Sequence, residues 1–275
     1  MIYQANEKTI NFEQPKVMAI VNLTPDSFYD GGKYDSLKDI LADVSQKVKA
    51  GADILDIGAA SSRPGATEIT EEEEWKRLES ALQLIRKEFS VIPISVDTYR
   101  SEIAKRAAGI GSDIINDISG GSKDEKMFEI IAHLNLPYVL MHMKGDPLTM
   151  QKNPIYSDVV KEIKNEFEQK INQLKKLKFK KIILDVGFGF GKNLDHNYTL
   201  LKNLNNFSDF NYPILAGISR KGMINKVIHT NPVTALNGTT AIHTIALLNG
   251  AKILRVHDVL EAKQVIELVQ FYKNV

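Results

Sequence analysis

Eight short and continuously apolar runs, each followed by a helical stretch, constrain the fold of this chain more than any other feature. The runs are rich in β-branched and aliphatic residues and lie at Val17–Asn22, Asp53–Gly58, Pro93–Asp97, Ile114–Asp117, Tyr138–His142, Ile182–Val186, Pro213–Gly217 and Ile253–His257. Parallel strands form unbroken apolar runs because helices cover both faces of their sheet. Eight strands alternating with helices predict an α/β fold, a (β/α)8 TIM barrel. An open, doubly wound sheet is the alternative.

The stretches between the runs carry helix signals. From Asp158 to about Lys178, apolar residues recur at spacings of three and four, which predicts an amphipathic helix. Thr70 can cap another helix, and Glu73, three residues later, completes a capping box. The acidic run 71–74 suits the positive end of that helix dipole better than a metal site.

The rest of the chain indicates a single domain, 1–275, because it contains no linker, low-complexity tract or shift in composition. Ile2–Ala5 and Thr9–Phe12 predict a short N-terminal hairpin that closes the floor of the barrel. The uncharged stretch Val227–Ala251 is long enough to cross a bilayer, but its asparagines, proline and histidine favour a buried helix. The part near Val233–Asn249 is apolar nearly all round, which suits either the core or a dimer interface. We expect His243, on this helix, to be a hydrogen-bonded core histidine.

Composition excludes several classes of function. The chain has no cysteine, so thiolate nucleophiles, disulfides, zinc–thiolate sites and iron–sulfur clusters are ruled out. The 35 lysines and arginines balance 34 acidic residues, which argues against broad binding to nucleic acid or to an anionic membrane. The first eight residues lack the pattern of a signal peptide, which predicts a cytoplasmic protein. The six histidines show no zinc-binding spacing.

Polar residues interrupt the apolar runs where the strands end. They are Asn22, the segment 61–65, Asp97, Asn116 and Asp117, His142, Asp185, the segment 219–221, Arg255 and His257. In a barrel these carboxyl ends meet on one face, where active sites are found. The sequence therefore predicts a polar site at that face.

These polar residues fall into two chemical groups. Asp97, Asn116, Asp185 and Lys221 offer donors and acceptors suited to a flat heterocycle with amide and amino edges. Another group is cationic and suited to phosphate oxygens, and it consists of Arg63, Arg255 and His257. The alternative is purely structural, with an Asp–Lys ion pair across the mouth and Arg255 neutralising Asp97.

The glycine-rich segment Gly187–Lys192 does not have the spacing of a phosphate-binding loop. Val186 stands where such a loop needs its first glycine, and Asn193 follows the lysine in place of serine or threonine. We expect a tight turn, in which Phe190 could stack on an aromatic ring.

Several motifs resemble, in the same order, the signatures of dihydropteroate synthases. They span residues 17 to 258 and comprise Met18–Phe28, Ser62–Gly65, Ser95–Thr98, Ile115–Asp117, Val139–Met143, Leu184–Asp185, Gly187–Lys192, Ser219–Lys221 and Arg255–His257. The resemblance implies a transferase of folate biosynthesis and a target of sulfonamides. Such an enzyme condenses 6-hydroxymethyl-7,8-dihydropterin pyrophosphate with p-aminobenzoate to give 7,8-dihydropteroate and pyrophosphate, assisted by Mg²⁺. The family is usually dimeric, so a homodimer is expected.

The resemblance also implies roles for individual residues. The pterin would be held by Asp97, Asn116, Asp185 and Lys221, with Met141 and Arg255 flanking its ring. The pyrophosphate would be held by Ser62, Arg63, Arg255 and His257, with Asn22 on the metal. The p-aminobenzoate would be surrounded by Phe28, Pro64, Phe190 and Lys221. Asp97, Lys221, Arg255 and His257 would act in catalysis.

Three positions depart from the family pattern. Ala60 replaces a glutamate, Val186 replaces the proline after Asp185, and Gly222 stands where serine is common. These changes affect the support of the second loop, the turn after Asp185, and the contact to a carboxylate. A pterin-binding methyltransferase barrel and a non-catalytic pterin-binding domain remain as alternatives.

Overall fold

The computed structural model describes residues 1–23, 37–60, 68–146, 150 and 153–275. Ten strands occur in this part of the chain: β1 Ile2–Ala5, β2 Lys8–Asn11, β3 Lys16–Asn22, β4 Ile54–Gly58, β5 Ile94–Asp97, β6 Ile114–Asp117, β7 Tyr138–Met141, β8 Ile182–Asp185, β9 Ile214–Ala216 and β10 Ile253–Val256. Strands β3 to β10 are parallel and close into a barrel, with β10 paired to β3. Each of the eight apolar runs supplies one barrel strand, so the predicted TIM barrel is confirmed and the open sheet is excluded.

Helices follow the barrel strands on the outside. They are α1 Leu37–Lys49, α2 Glu71–Glu88, α3 Ser101–Ile110, α4 Met127–Leu134, α5 Val159–Lys176, α6 Leu194–Lys202, α7 Gly222–Ile228, α8 Leu236–Leu248 and α9 Val259–Asn274, with a 3-10 helix at Leu204–Phe210. Helix α5 matches its prediction, and the Asp158 carboxylate caps it by accepting from the backbone N–H of Val160 at 3.0 Å.

Only half of the predicted capping box forms on α2. The Thr70 hydroxyl caps the helix and accepts from the backbone N–H of Glu73 at 3.2 Å. The Glu73 carboxylate does not complete the box, because it accepts from Arg77 Nε at 3.1 Å one turn further along the helix. An i,i+4 ion pair thus replaces the reciprocal bond.

The N-terminal hairpin closes the barrel floor, as predicted, although its second strand begins one residue earlier. Tyr3, Ala5, Ile10 and Phe12 are buried against the lowest layer of side chains inside the barrel. That layer is apolar and consists of Met18, Ile54, Ile114, Val139, Ile183, Leu215 and Ile253. The Tyr3 hydroxyl also donates to the carbonyl of Ile182 at 2.7 Å. Sealing the floor leaves the opposite, carboxyl end of the strands as the open mouth.

Above this apolar layer the interior of the barrel becomes polar. Side chains alternate between the two faces of a strand, so a residue two positions after a floor residue also points inward. The residues in that position on five strands are Asp56, Asn116, Met141, Asp185 and Arg255. The barrel thus presents a polar layer directly above its apolar one, at the depth where a ligand entering the mouth would stop.

Helix α8 lies mainly in the core. Ile242 and Ala246 are buried, whereas Ile245 and Leu248 are more than two-fifths exposed. His243 is buried, as predicted, but its Nε2 atom has no hydrogen-bond partner among the described residues, and burial lowers its pKa to about 4. No helix in the described part of the chain is long and apolar enough to cross a membrane.

Candidate active site

Two carboxylates inside the mouth hold one guanidinium. Arg255 Nε donates to Asp56 Oδ2 at 2.6 Å, and its Nη2 donates to Asp97 Oδ2 at 2.8 Å. The side-chain amide of Asn116 donates to the same Asp56 oxygen at 3.1 Å. Because Asp56 is fully buried, these charge-assisted bonds lie where water screens little.

This arrangement corrects the two-group interpretation of the polar residues. The two groups are not separate, because Arg255, placed in the cationic group, bonds to two carboxylates, one of which is Asp97 of the other group. The structural alternative, in which Arg255 neutralises Asp97, is observed. His257 lies beside β9 instead, with its Nδ1 atom 3.0 Å from the Ser219 hydroxyl.

The protonation of this cluster follows from burial and charge. Burial raises the pKa of Asp97 to about 7, although the charge of Arg255 opposes the rise. Burial lowers the pKa of Arg255, but the charges of Asp56 and Asp97 outweigh that effect and raise it overall. At neutral pH the guanidinium is therefore fully charged, whereas Asp97 is poised between its two states.

Asp185 and Lys221 supply a second acid and base at the mouth, apart from the cluster around Arg255. Asp185 Oδ1 accepts from the backbone N–H of Gly187 at 2.8 Å, and burial raises the pKa of this carboxyl. Lys221 Nζ donates to the carbonyl of Phe188 and lies 4.5 Å from the ring centroid of Phe190. Burial lowers the pKa of Lys221 to about 8, opposed by the charge of Asp185.

The segment 187–191 forms the tight turn that its glycines predict. Gly187, Gly189 and Gly191 all have positive φ, a conformation that other residues rarely adopt. A side chain on Gly187 would lie 2.0 Å from the carbonyl oxygen of His142, and one on Gly191 would lie 2.2 Å from that of Lys144. The segment therefore presses directly onto the backbone that follows β7.

Met141 and Asn22 complete the predicted residues that the structure describes at the mouth. Met141 is buried and pairs in register with Asp185 on the neighbouring strand. Asn22 ends β3 and is half-buried, opposite Gly58 on β4. Phe28, Ser62, Arg63 and Pro64 lie outside the described residues, so their predicted roles stay predictions.

Three polar residues near the strand ends point away from the mouth. Asp117 follows the inward Asn116 and accepts from the hydroxyl of Tyr138 at 2.7 Å on the outside of the barrel. His142 follows the inward Met141 and lies against Lys192, while Arg220 pairs with Asp258 at 2.7 Å. The polar end of the fifth strand thus does not reach the site, contrary to the expectation for all eight.

The structure also shows what surrounds the three departures from the family pattern. Ala60 is half-buried, and the carbonyl of the preceding Ala59 accepts from Arg77 Nη1 at 3.3 Å, which holds the backbone there. Val186 is fully buried in the core, next to the tight turn. Gly222 is exposed at the start of α7, with open space around its Cα atom.

Asp56 is the site residue that the sequence analysis missed. For the predicted run Asp53–Gly58, the site was assigned to the polar segment 61–65 that follows it, and not to Asp56 within the run. A charged residue in the middle of a buried strand is itself a signal, because burying an unpaired carboxylate is costly. Asp56 also lies two residues after Ile54, whose side chain is in the floor layer inside the barrel. Because side chains alternate along a strand, Asp56 points into the barrel as well.

Comparisons with known proteins identify the family of this chain. Residues 18–257 match the family described as "Pterin binding enzyme". The dihydropteroate synthase of Escherichia coli K12 is 42% identical over 268 residues, which cover 97% of this chain and 94% of that protein. The corresponding protein of Haemophilus influenzae is 41% identical over 272 residues, 98% of each chain.

Solved structures give the same result. The dihydropteroate synthase of Yersinia pestis, in a sulfonamide drug complex, superposes with a TM-score of 0.96 at 37% identity and covers all of both chains. The enzyme of Xanthomonas albilineans with 4-aminobenzoic acid has a TM-score of 0.92 at 34% identity, covering 100% of this chain and 98% of that one. The same enzyme with 7,8-dihydropteroate reaches 0.89 at 31% identity over the full length of both.

Proposed function

Since the chain belongs to the dihydropteroate synthases, we propose that the polar layer of its barrel mouth binds the pterin ring of the substrate. These transferases of folate biosynthesis condense 6-hydroxymethyl-7,8-dihydropterin pyrophosphate with p-aminobenzoate. The observation that carries the proposal is the set of inward polar side chains, Asp97, Asn116 and Asp185, above a sealed apolar floor. Their carboxylate and amide groups match the amino and amide edges of a pterin.

The chemistry of the reaction fits this set of residues. Breaking the bond between the methylene carbon and the pyrophosphate oxygen leaves positive charge on the pterin. The buried carboxylate of Asp97 would stabilise that charge electrostatically. An arylamine is neutral at pH 7, so the attack by p-aminobenzoate needs no dedicated general base.

The leaving group and the second substrate would lie further out. We assign the pyrophosphate to Arg255 and His257, together with Ser62 and Arg63. We assign the p-aminobenzoate to Phe190 and Lys221, together with Phe28 and Pro64. Sulfonamides resemble p-aminobenzoate, so we expect them to compete for this pocket.

Asn22 offers an oxygen ligand that fits Mg²⁺. The ion is a hard cation that proteins commonly hold by one or two oxygens, with substrate phosphates and water completing the shell. The amide of Asn22 lies at the end of β3, on the face where the pyrophosphate would bind. When bound there, Mg²⁺ would neutralise charge on the departing pyrophosphate.

The test of the function is the release of pyrophosphate. We expect one pyrophosphate for each dihydropteroate when the protein, the pterin pyrophosphate, p-aminobenzoate and Mg²⁺ are mixed. Release should stop when p-aminobenzoate is omitted and fall strongly when EDTA removes the metal. Pterin binding without pyrophosphate release would instead indicate a non-catalytic pterin-binding domain, and methyl transfer would indicate the methyltransferase alternative.

Replacing Asp185 with alanine should weaken pterin binding by about tenfold to a hundredfold, because a lost partner in a buried site costs about 1–3 kcal/mol. Calorimetry with the pterin alone measures this change. Asp117→Asn is the control, since Asp117 is buried at a strand end but points outward, and it should change pterin affinity far less than Asp185→Ala does. Equal affinities in wild type and Asp185→Ala would contradict the assignment.

We also propose that the chain forms a homodimer through its C-terminal helices. Helices α7, α8 and α9 are neighbours, and they expose large apolar side chains, notably Ile245, Leu268 and Phe271. Exposed apolar surface of this kind commonly marks an interface. Light scattering should give twice the mass of the 30.8 kDa chain. A monomer at micromolar concentration would refute the proposal.

A further inference from the structure

A chain of three side chains, of which Lys192 and His142 are buried and Glu166 is partly exposed, connects helix α5 to the glycine segment 187–191. Lys192 is 2% exposed, and its Nζ atom lies 2.9 Å from each of His142 Nδ1, the carbonyl of Gly187 and the carbonyl of Phe190. On the other side of the imidazole ring, His142 Nε2 lies 3.3 Å from a carboxylate oxygen of Glu166.

The ammonium of Lys192 has as many N–H groups as it has near acceptors. It carries three N–H donors, three acceptors lie at 2.9 Å, and the carbonyl of His142 lies further away at 3.3 Å. The histidine then accepts at Nδ1 and donates from Nε2 to Glu166, as a neutral ring does. An uncharged amine has only two N–H groups, so it would leave one acceptor of the segment without its bond.

The segment that Lys192 holds carries contacts of the proposed active site. Its first N–H, that of Gly187, donates to Asp185, and the carbonyl of Phe188 accepts from Lys221. The ring of Phe190 lies under the Lys221 ammonium at 4.5 Å. A shift of the segment would therefore move both the wall and the cation of the p-aminobenzoate pocket.

We propose that Lys192, held by His142 and Glu166, is a positioning residue that fixes segment 187–191 for the binding of p-aminobenzoate. The inference rests on the proposed function of the pocket. Lys192 reaches the pterin residue Asp185 only through Gly187, whose carbonyl accepts from Lys192 and whose N–H donates to Asp185. We therefore expect loss of Lys192 to weaken binding of the arylamine more than binding of the pterin.

Protonation makes this role sensitive to pH. Burial lowers the pKa of Lys192 to about 7, against the charge of Asp185, and burial lowers that of His142 to about 4. The charged groups that influence Lys192 are Asp185, Lys221, Glu166 and Lys144, and Lys170 influences His142. Above neutral pH the ammonium loses a proton, so the KM for p-aminobenzoate should rise.

The decisive variants are Lys192→Met and Glu166→Gln, with Glu168→Gln as the matched control on an exposed position of the same helix. For Lys192→Met we expect the KM for p-aminobenzoate to rise about tenfold, the loss of roughly one buried hydrogen bond, while pterin affinity falls by a clearly smaller factor. Glu166→Gln keeps an acceptor for His142 but removes a charge that favours the ammonium. Its rise in KM should therefore begin at lower pH than in wild type.

The outcomes separate this inference from the function on which it depends. A wild type without turnover would overturn the proposed function itself. With an active wild type, an unchanged KM in Lys192→Met, or an equal loss of pterin and arylamine affinity, would overturn the positioning role. If Lys192→Met does not fold, the pH profiles of Glu166→Gln and Glu168→Gln decide, and two profiles that both match wild type would reject the proposal.

Discussion

Replacing Arg255 with methionine should lower turnover by about a hundredfold to a thousandfold, the range seen when one charge-stabilising group is removed from an active site. It should also cost about 3–5 kcal/mol of the free energy of unfolding, because it leaves buried carboxylates without their counter-charge. The carboxylates are those of Asp56 and Asp97, bonded to Arg255 at 2.6 and 2.8 Å. Steady-state kinetics and urea denaturation measure the two effects.

The same variant should change how pterin binding depends on pH. Arg255 lowers the pKa of Asp97, so its removal lets burial raise that pKa above its value of about 7. A protonated Asp97 is neutral and a weaker acceptor for the N–H groups of the pterin, so affinity should be weak at neutral pH and recover as the pH rises. Arg255→Lys is the control, since it keeps the positive charge but loses the planar guanidinium with its paired donors. Its pterin affinity at neutral pH should lie between those of the wild type and Arg255→Met. If Arg255→Met kept the stability of the wild type and its pterin affinity did not change with pH, the interaction of Arg255 with the two carboxylates would not have the proposed effect.

The barrel could be predicted because its signal is repeated eight times along the chain. A single short apolar run does not distinguish a strand from a buried helix, but eight of them separated by helices leave few architectures. The floor hairpin was predictable for a similar reason, since its apolar residues have no other surface to cover. Element ends were less certain, and the second hairpin strand was displaced by one residue.

The site was only partly predictable, and the errors have one physical cause. Successive side chains of a strand point to opposite faces of the sheet. The sequence therefore shows that Asn116 and Asp117 are adjacent, but it does not show which of them points into the barrel. The floor residues settle that question, and they are identified only when the hairpin is seen against them. With Ile54, Ile114 and Val139 known to point inward, Asp56 becomes a site residue, and Asp117 and His142 are excluded from the mouth.

The ion pairs of Arg255 could not be decided from the sequence, which offered the pair with Asp97 only as an alternative and gave no sign of the pair with Asp56. Arg255 lies on β10, and its partners lie on β4 and β5, so the contacts depend on the closed register of the sheet. Local spacing contains no information about such a contact. The sequence analysis grouped Arg255 with His257 because both side chains can be cationic and lie only two residues apart.

A double-mutant cycle should show that Asp56 and Arg255 act as one unit. Asp56 is fully buried, and one of its oxygens accepts from both Arg255 and Asn116. We expect Asp56→Asn to destabilise the fold by about 1.5–3 kcal/mol, the range for a hydrogen bond to a charged group. The double variant with Arg255→Met should be less unstable than the sum of the single variants by about 2 kcal/mol, because the Asp56 carboxylate that Arg255→Met alone leaves without its counter-charge is gone.

The matched control is the exposed ion pair between Glu102 and Arg106 on α3, whose atoms lie 3.2 Å apart. Glu102→Gln and Arg106→Met should couple by only about 0.3–0.5 kcal/mol, as solvent-exposed pairs on helices do. If the losses of unfolding free energy in Asp56→Asn and Arg255→Met simply add, the two residues lie side by side without stabilising each other. A large coupling, together with slow turnover in Asp56→Asn, would mean that Asp56 keeps the guanidinium in place while Asp97 exchanges it for the pterin. Two carboxylates around one arginine would then have different tasks, one anchoring the cation and the other binding the substrate.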